Sequence, residues 1–81
     1  MPTALRIGRY RFFFFSNEAQ EPPHIHASAS GNEAKFWLDP IALAANNGFK
    51  SHELGGIRAI IEEHHNELLE AWNEHFGTEN S

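Results

Sequence analysis

The stretch Glu21-Pro22-Pro23-His24-Ile25-His26-Ala27-Ser28-Ala29-Ser30-Gly31-Asn32-Glu33-Ala34-Lys35-Phe36-Trp37-Leu38-Asp39 decides how this chain folds. Two prolines set where a strand can begin, because neither can donate to a sheet ladder. From His24 onward the residues alternate in character, and a strand sends alternate side chains to opposite faces. Gly31-Asn32, as the central pair of a two-residue loop, is a hairpin signal. With Ser30 paired to Glu33, Ala29 meets Ala34, Ala27 meets Phe36 and Ile25 meets Leu38, which makes one apolar face. The other face collects Ser28 with Lys35, His26 with Trp37 and His24 with Asp39. A slip of one residue would mix the two sets, so this register is the one expected.

Toward the N-terminus, Leu5-Arg6-Ile7 and Tyr10 to Phe15 flank Gly8-Arg9, a glycine-led tight turn. That turn pairs Ile7 with Tyr10, Arg6 with Arg11, Leu5 with Phe12 and Ala4 with Phe13. Two arginines then stand opposite one another, which costs stability unless an anion or carboxylate sits between them or both side chains splay into water. The run Phe12-Phe13-Phe14-Phe15 cannot alternate, so both faces of its strand must be covered. Phe13 or Phe15 is expected to be buried against another chain, a second copy or a small partner. Ser16 to Pro23 reads as a polar loop.

Toward the C-terminus, Asp39-Pro40 has the chemistry of a helix start and Asn47-Gly48 that of a stop, predicting a short helix over 39–48. Ser51 can cap a long helix over 51–77. Its apolar positions Leu54, Ile57, Ile61, Leu68 and Trp72 follow 3–4 spacing, with His64 at the missing step and Phe76 one turn beyond Trp72. Gly55-Gly56 weakens the first turn or permits close approach to the sheet. The fold expected is a single α+β domain over 1–81. Two consecutive β-hairpins in residues 1–38 form a small antiparallel sheet, packed by the short helix and the long C-terminal helix. The order of strands is left open.

Eighty-one residues make one domain whose core is too small to enclose a large cofactor, so any site is a surface cleft. There is no cysteine, which excludes disulfides, thiol catalysis and thiolate metal sites. No apolar run approaches a membrane span and no export signal opens the chain, so a cytoplasmic protein without membrane contact is expected. Of the net charge of −5, residues 1–50 contribute +1 and residues 51–81 contribute −6. A general basic surface for nucleic acid is therefore excluded, and an anion would have to meet a local cluster in the N-terminal part. The acidic segment is either a solvated face or a docking surface for a basic partner.

The face bearing His24, His26, Ser28, Lys35, Trp37 and Asp39 has the parts for three kinds of work. In metal-independent phosphoryl transfer, His24 oriented by Asp39 would serve as base or acid, with His26 as its complement. Lys35 would stabilise developing charge and Trp37 would stack on a base. RNA suits such a site, because its 2′-hydroxyl is an internal nucleophile. In metal binding, His24 and His26 would chelate zinc or another divalent ion with Asp39, His64 or His65 as third ligand, although two histidines alone are a weak signal. The third reading is a solvated or partner-contacting surface whose histidines serve packing and hydrogen bonding. Arg6, Arg11, Phe13, Phe15 and Trp37 are the residues expected to contact a partner or an anion. No glycine-rich phosphate loop occurs.

The whole chain resembles a family of small prokaryotic proteins known as domain of unknown function 4160. The resemblance is carried by Met1-Pro2-Thr3, Leu5-Arg6-Ile7-Gly8, Tyr10 to Ser16, Glu21-Pro22-Pro23-His24-Ile25-His26 and Ala34-Lys35-Phe36-Trp37-Leu38-Asp39-Pro40. It continues through Asn47-Gly48-Phe49, Glu63-His64 and Ala71-Trp72-Asn73-Glu74-His75-Phe76-Gly77. It implies a gene paired with a second small protein, domain of unknown function 2442, in an arrangement similar to toxin–antitoxin modules. No reaction and no toxic member follow from it.

Overall fold

The computed structural model describes residues 3–15 and 20–76. Five strands, β1 (Thr3–Ile7), β2 (Tyr10–Phe13), β3 (His24–Ala29), β4 (Asn32–Leu38) and β5 (Ile41–Asn47), precede two helices, α1 (Ser51–Glu63) and α2 (His65–Phe76). The strands form one antiparallel meander in chain order, and the fold is the α+β arrangement expected. The first hairpin has the anticipated register, with Ile7 opposite Tyr10, Arg6 opposite Arg11 and Leu5 opposite Phe12. An irregularity then sets Thr3, in place of Ala4, opposite Phe13.

The second hairpin keeps both expected faces but not the expected pairs. Its loop is Ser30-Gly31, both with positive φ (52° and 81°), which is the backbone of a primed two-residue turn. Ala27 therefore lies opposite Ala34, Ile25 opposite Phe36, His26 opposite Lys35 and His24 opposite Trp37. This is a two-residue shift from the anticipated register. Because the pleat repeats every two residues, such a shift leaves each side chain on its own face, and facial pattern cannot detect it.

The short helix predicted over 39–48 is absent; Ile41–Asn47 is β5, paired along β4. Asp39-Pro40, joined by a cis peptide, makes the turn between the two strands. The outer N–H and C=O groups of β4 need partners, and a strand returning after a two-residue turn supplies them where a helix could not. Gly48, at φ +106°, closes β5 tightly against Asn32, where any Cβ would overlap the Asn32 side chain. Asn46 then holds Phe49 at both its backbone N–H and its carbonyl, Nδ2 donating to Phe49 O at 2.9 Å and Oδ1 accepting from Phe49 N at 3.1 Å.

The long helix is also divided. His64 leaves helical geometry (φ −109°, ψ 23°) between α1 and α2. His65 Nε2–H donates to the Leu38 carbonyl at the end of β4, tying the second helix to the sheet at the break. At the N-terminus Lys50, not Ser51, is the capping residue, because Glu53 reaches back to accept from the Lys50 backbone N–H at 2.9 Å. One face of the sheet carries Phe12, Ile25, Ala27, Phe36 and Leu38. These pack with Phe14 under Ile57 and Ile61 of α1 and Leu68 and Trp72 of α2.

Candidate functional site

The opposite face holds the two histidines, and it is less open than alternation alone suggests. His24 is fully buried at the start of β3. Its Nδ1–H donates to the Pro22 carbonyl at 2.9 Å, since a carbonyl can only accept. That bond sets the tautomer and points the ring among Trp72 (centroid distance 4.9 Å), His26 (5.3 Å) and Trp37 (5.8 Å). His26, 5% exposed, stacks on Phe13 at 5.5 Å and takes the edge of Phe15 at 4.5 Å. The phenylalanine run is therefore covered on both sides within the chain: Phe12 and Phe14 enter the core, while Phe13 and Phe15 enclose His26. The apolar surface expected to need a partner at Phe13 is only 3% exposed.

Around the histidines stand two carboxylates that the sequence reading did not include. Glu21 Oε1 is 2.5 Å from Lys35 Nζ and 3.8 Å from His24 Nδ1. Glu33 Oε2 is 3.4 Å from His26 Nδ1. Their signal is present, Glu21 directly before the proline pair and Glu33 on the polar side of β4, but the expected register sets Glu33 against Ser30, whereas it lies opposite Ser28. Lys35 also lies 4.7 Å above the Trp37 ring, so its charge is held between a carboxylate and an aromatic face. Asp39 is displaced from its expected role: the register places Trp37 across from His24, and Asp39 is exposed in the turn beyond β4.

Arg6 and Arg11 do face one another, and the Arg11 guanidinium rests 4.8 Å over Phe13. His64, at the junction of α1 and α2, is 2.8 Å from Glu67 Oε1. Among the described residues no group of three or more histidine, aspartate or glutamate side chains is gathered to hold a metal ion. With the Nδ1 of His24 carrying its proton toward Pro22, only Nε2 of that ring would have a lone pair to offer. Beside His26 an open cleft of about 260 Å³ lies against β4 and β5, lined by His26, Glu33, Ala34, Lys35, Ala45, Asn46 and Asn47. It lies where the β4–β5 pairing is irregular, between Lys35 and Phe36.

At the turn end of the first hairpin, Arg9 Nη2 is 2.6 Å from Glu53 Oε2. The Lys50 backbone N–H, aided by the Arg9 charge, holds the Glu53 carboxyl below its ordinary value. Tyr10 chiefly, and Glu53 with it, holds the Arg9 guanidinium above its own. No helix among the described residues is long and apolar enough to cross a membrane.

A family model described as Domain of unknown function (DUF4160) matches residues 10–73, and the chain belongs to that family. No curated protein and no solved structure matches the chain at a significant level.

Proposed function

We propose that this DUF4160 member is a non-enzymatic protein-binding module of the cytoplasm, working in a toxin–antitoxin-like arrangement with a second small protein. The observation that carries the reading is the state of the histidine pair. His24 is fully buried with Nδ1 bonded to Pro22, and His26 is enclosed by two phenylalanines. An acid–base pair for phosphoryl transfer needs both rings within reach of substrate oxygens, whereas these rings spend their surface on packing. The sheet's last strand, β5, by contrast exposes most of its residues, and strand edges are sites where protein chains dock.

A second reading has one observation in its favour: His26, Glu33 and Lys35 share the open cleft. Glu33 could orient His26 while Lys35 offsets charge on a phosphate, which is the minimum for cleaving RNA without a metal. One pair of measurements separates the readings. The purified chain is incubated with RNA in chelator, and titrated calorimetrically with a small partner protein of the domain of unknown function 2442 type. The binding-module reading expects saturable binding and intact RNA. RNA cleavage with a bell-shaped pH dependence, lost in both His26→Ala and Glu33→Gln, would replace it with the second reading.

A further inference from the structure

Edge strands in soluble proteins are usually defended by charge, proline or short length, because their unpaired N–H and C=O groups recruit other strands. β5 forms one edge of the sheet and spans seven residues, Ile41-Ala42-Leu43-Ala44-Ala45-Asn46-Asn47, about 24 Å at the usual rise. It contains no charge, no proline and no glycine. Leu43, opposite Phe36 and so on the helix-covered face, is a large hydrophobic residue that is nonetheless 45% exposed. We propose that β5 is the contact strand of a homodimer. Two copies pair antiparallel through β5 about a two-fold axis perpendicular to the sheet, bringing Leu43 beside Leu43 of the second copy. The proposal rests on the protein-binding reading, but at the β5 edge it sets a second copy of this chain in place of the second small protein.

Three features select a second copy over an unrelated chain. A two-fold axis sets a strand against itself, and a strand without charge opposes no like charges in any register. Whatever covers Leu43 must present an apolar group on the same face at the same edge, and the two-fold delivers another Leu43. The third feature is α1, which packs on β4 and β5. Glu53, on one flank of the helix, reaches across to Arg9 at the β1–β2 turn, so in the proposed dimer the opposite flank is the one turned toward the β5 side. Arg58 and Glu62, about 140° and 180° around the helix from Glu53, occupy that flank as an i,i+4 ion pair at 3.2 Å. A flank with one charge of each sign is complementary to its own antiparallel copy. The acidic residues Glu67, Glu70 and Glu74 lie on α2, which packs against β1 and β4.

A strand with one helix flank makes an interface near the lower end of the specific range, about 1,200 Å², where weak and transient complexes lie. Sedimentation of the full chain from about 1 to about 500 μM should therefore show a monomer–dimer equilibrium, with β5 amides gaining protection from hydrogen exchange as concentration rises. Leu43→Lys should weaken dimerisation about tenfold or more with an unchanged circular dichroism spectrum. Arg58→Glu should weaken it as well, and the exchanged pair Arg58→Glu with Glu62→Arg should restore it. A chain that stays monomeric throughout, or a dimer indifferent to Leu43→Lys, overturns the homodimer. If the monomer still binds the small partner protein and Leu43→Lys abolishes that binding, the occupant is wrong and the binding-module reading stands. If it binds neither, both fail.

Discussion

His24 concentrates the question of what the polar face is for. Its ring fills space among Trp72, Trp37 and His26, while one nitrogen satisfies the Pro22 carbonyl. The two roles separate by substitution. His24→Phe keeps an aromatic ring of similar size and loses the hydrogen bond to Pro22, so it should cost about 0.5–1.5 kcal/mol. His24→Ala removes the ring and opens a cavity, which should cost about 2–5 kcal/mol. Urea unfolding of both variants tests the ranking, and equal losses would mean that the hydrogen bond, not packing, is what the residue supplies. At this scale the sequence was informative about identity and silent about environment. The His-x-His spacing marked a shared face, but nothing in it revealed that Phe13 and Phe15 would close over His26.

The start of α1 is the element whose electrostatics can be read most directly. The Glu53 carboxylate accepts from the Lys50 N–H at 2.9 Å and meets Arg9 at 2.6 Å, which lowers its pKa below the ordinary 4.5. A carboxyl with a depressed folded-state pKa favours folding above its unfolded value, and that contribution disappears as pH falls through the folded value. The thermal midpoint of the wild type should therefore fall more steeply below about pH 4.5 than that of Glu53→Gln. The two curves should converge in strong acid, and parallel curves from pH 7 to 3 would remove Glu53 from the account. Nearby elements show why local signals misled. Asp39-Pro40 and the alanine-rich run after it have helix-forming chemistry, yet they became a turn and a strand because β4 offered a ladder. The apolar spacing across His64 runs on as though through one helix, whereas in the fold His64 leaves helical geometry and His65 bonds the Leu38 carbonyl.

For the whole molecule, the decisive contact is the one that closes α2 onto the sheet. Phe14 is 2% exposed and meets Trp72 at 5.6 Å and Phe76 at 6.2 Å, linking the end of the first hairpin to the last helix. Phe14→Ala should cost about 3–5 kcal/mol, a large part of the roughly 5–15 kcal/mol typical of a domain. Loss of the cooperative urea transition near room temperature, or a midpoint shift of that size, is the expected result. A shift below about 1 kcal/mol would show that α2 docks by other contacts. By itself the sequence determined the α+β class, the first hairpin's register from its turn as far as Leu5 and Phe12, and which side chains line each face of the second. These follow from turn chemistry and from a period of two, both of which act between neighbours along the chain. Tertiary structure alone decided the two-residue shift of the second hairpin, the strand at Ile41–Asn47, the break at His64 and the enclosure of the histidines. Each of these turns on satisfying backbone groups or covering rings from segments distant in sequence, and no local pattern records which distant segment will arrive.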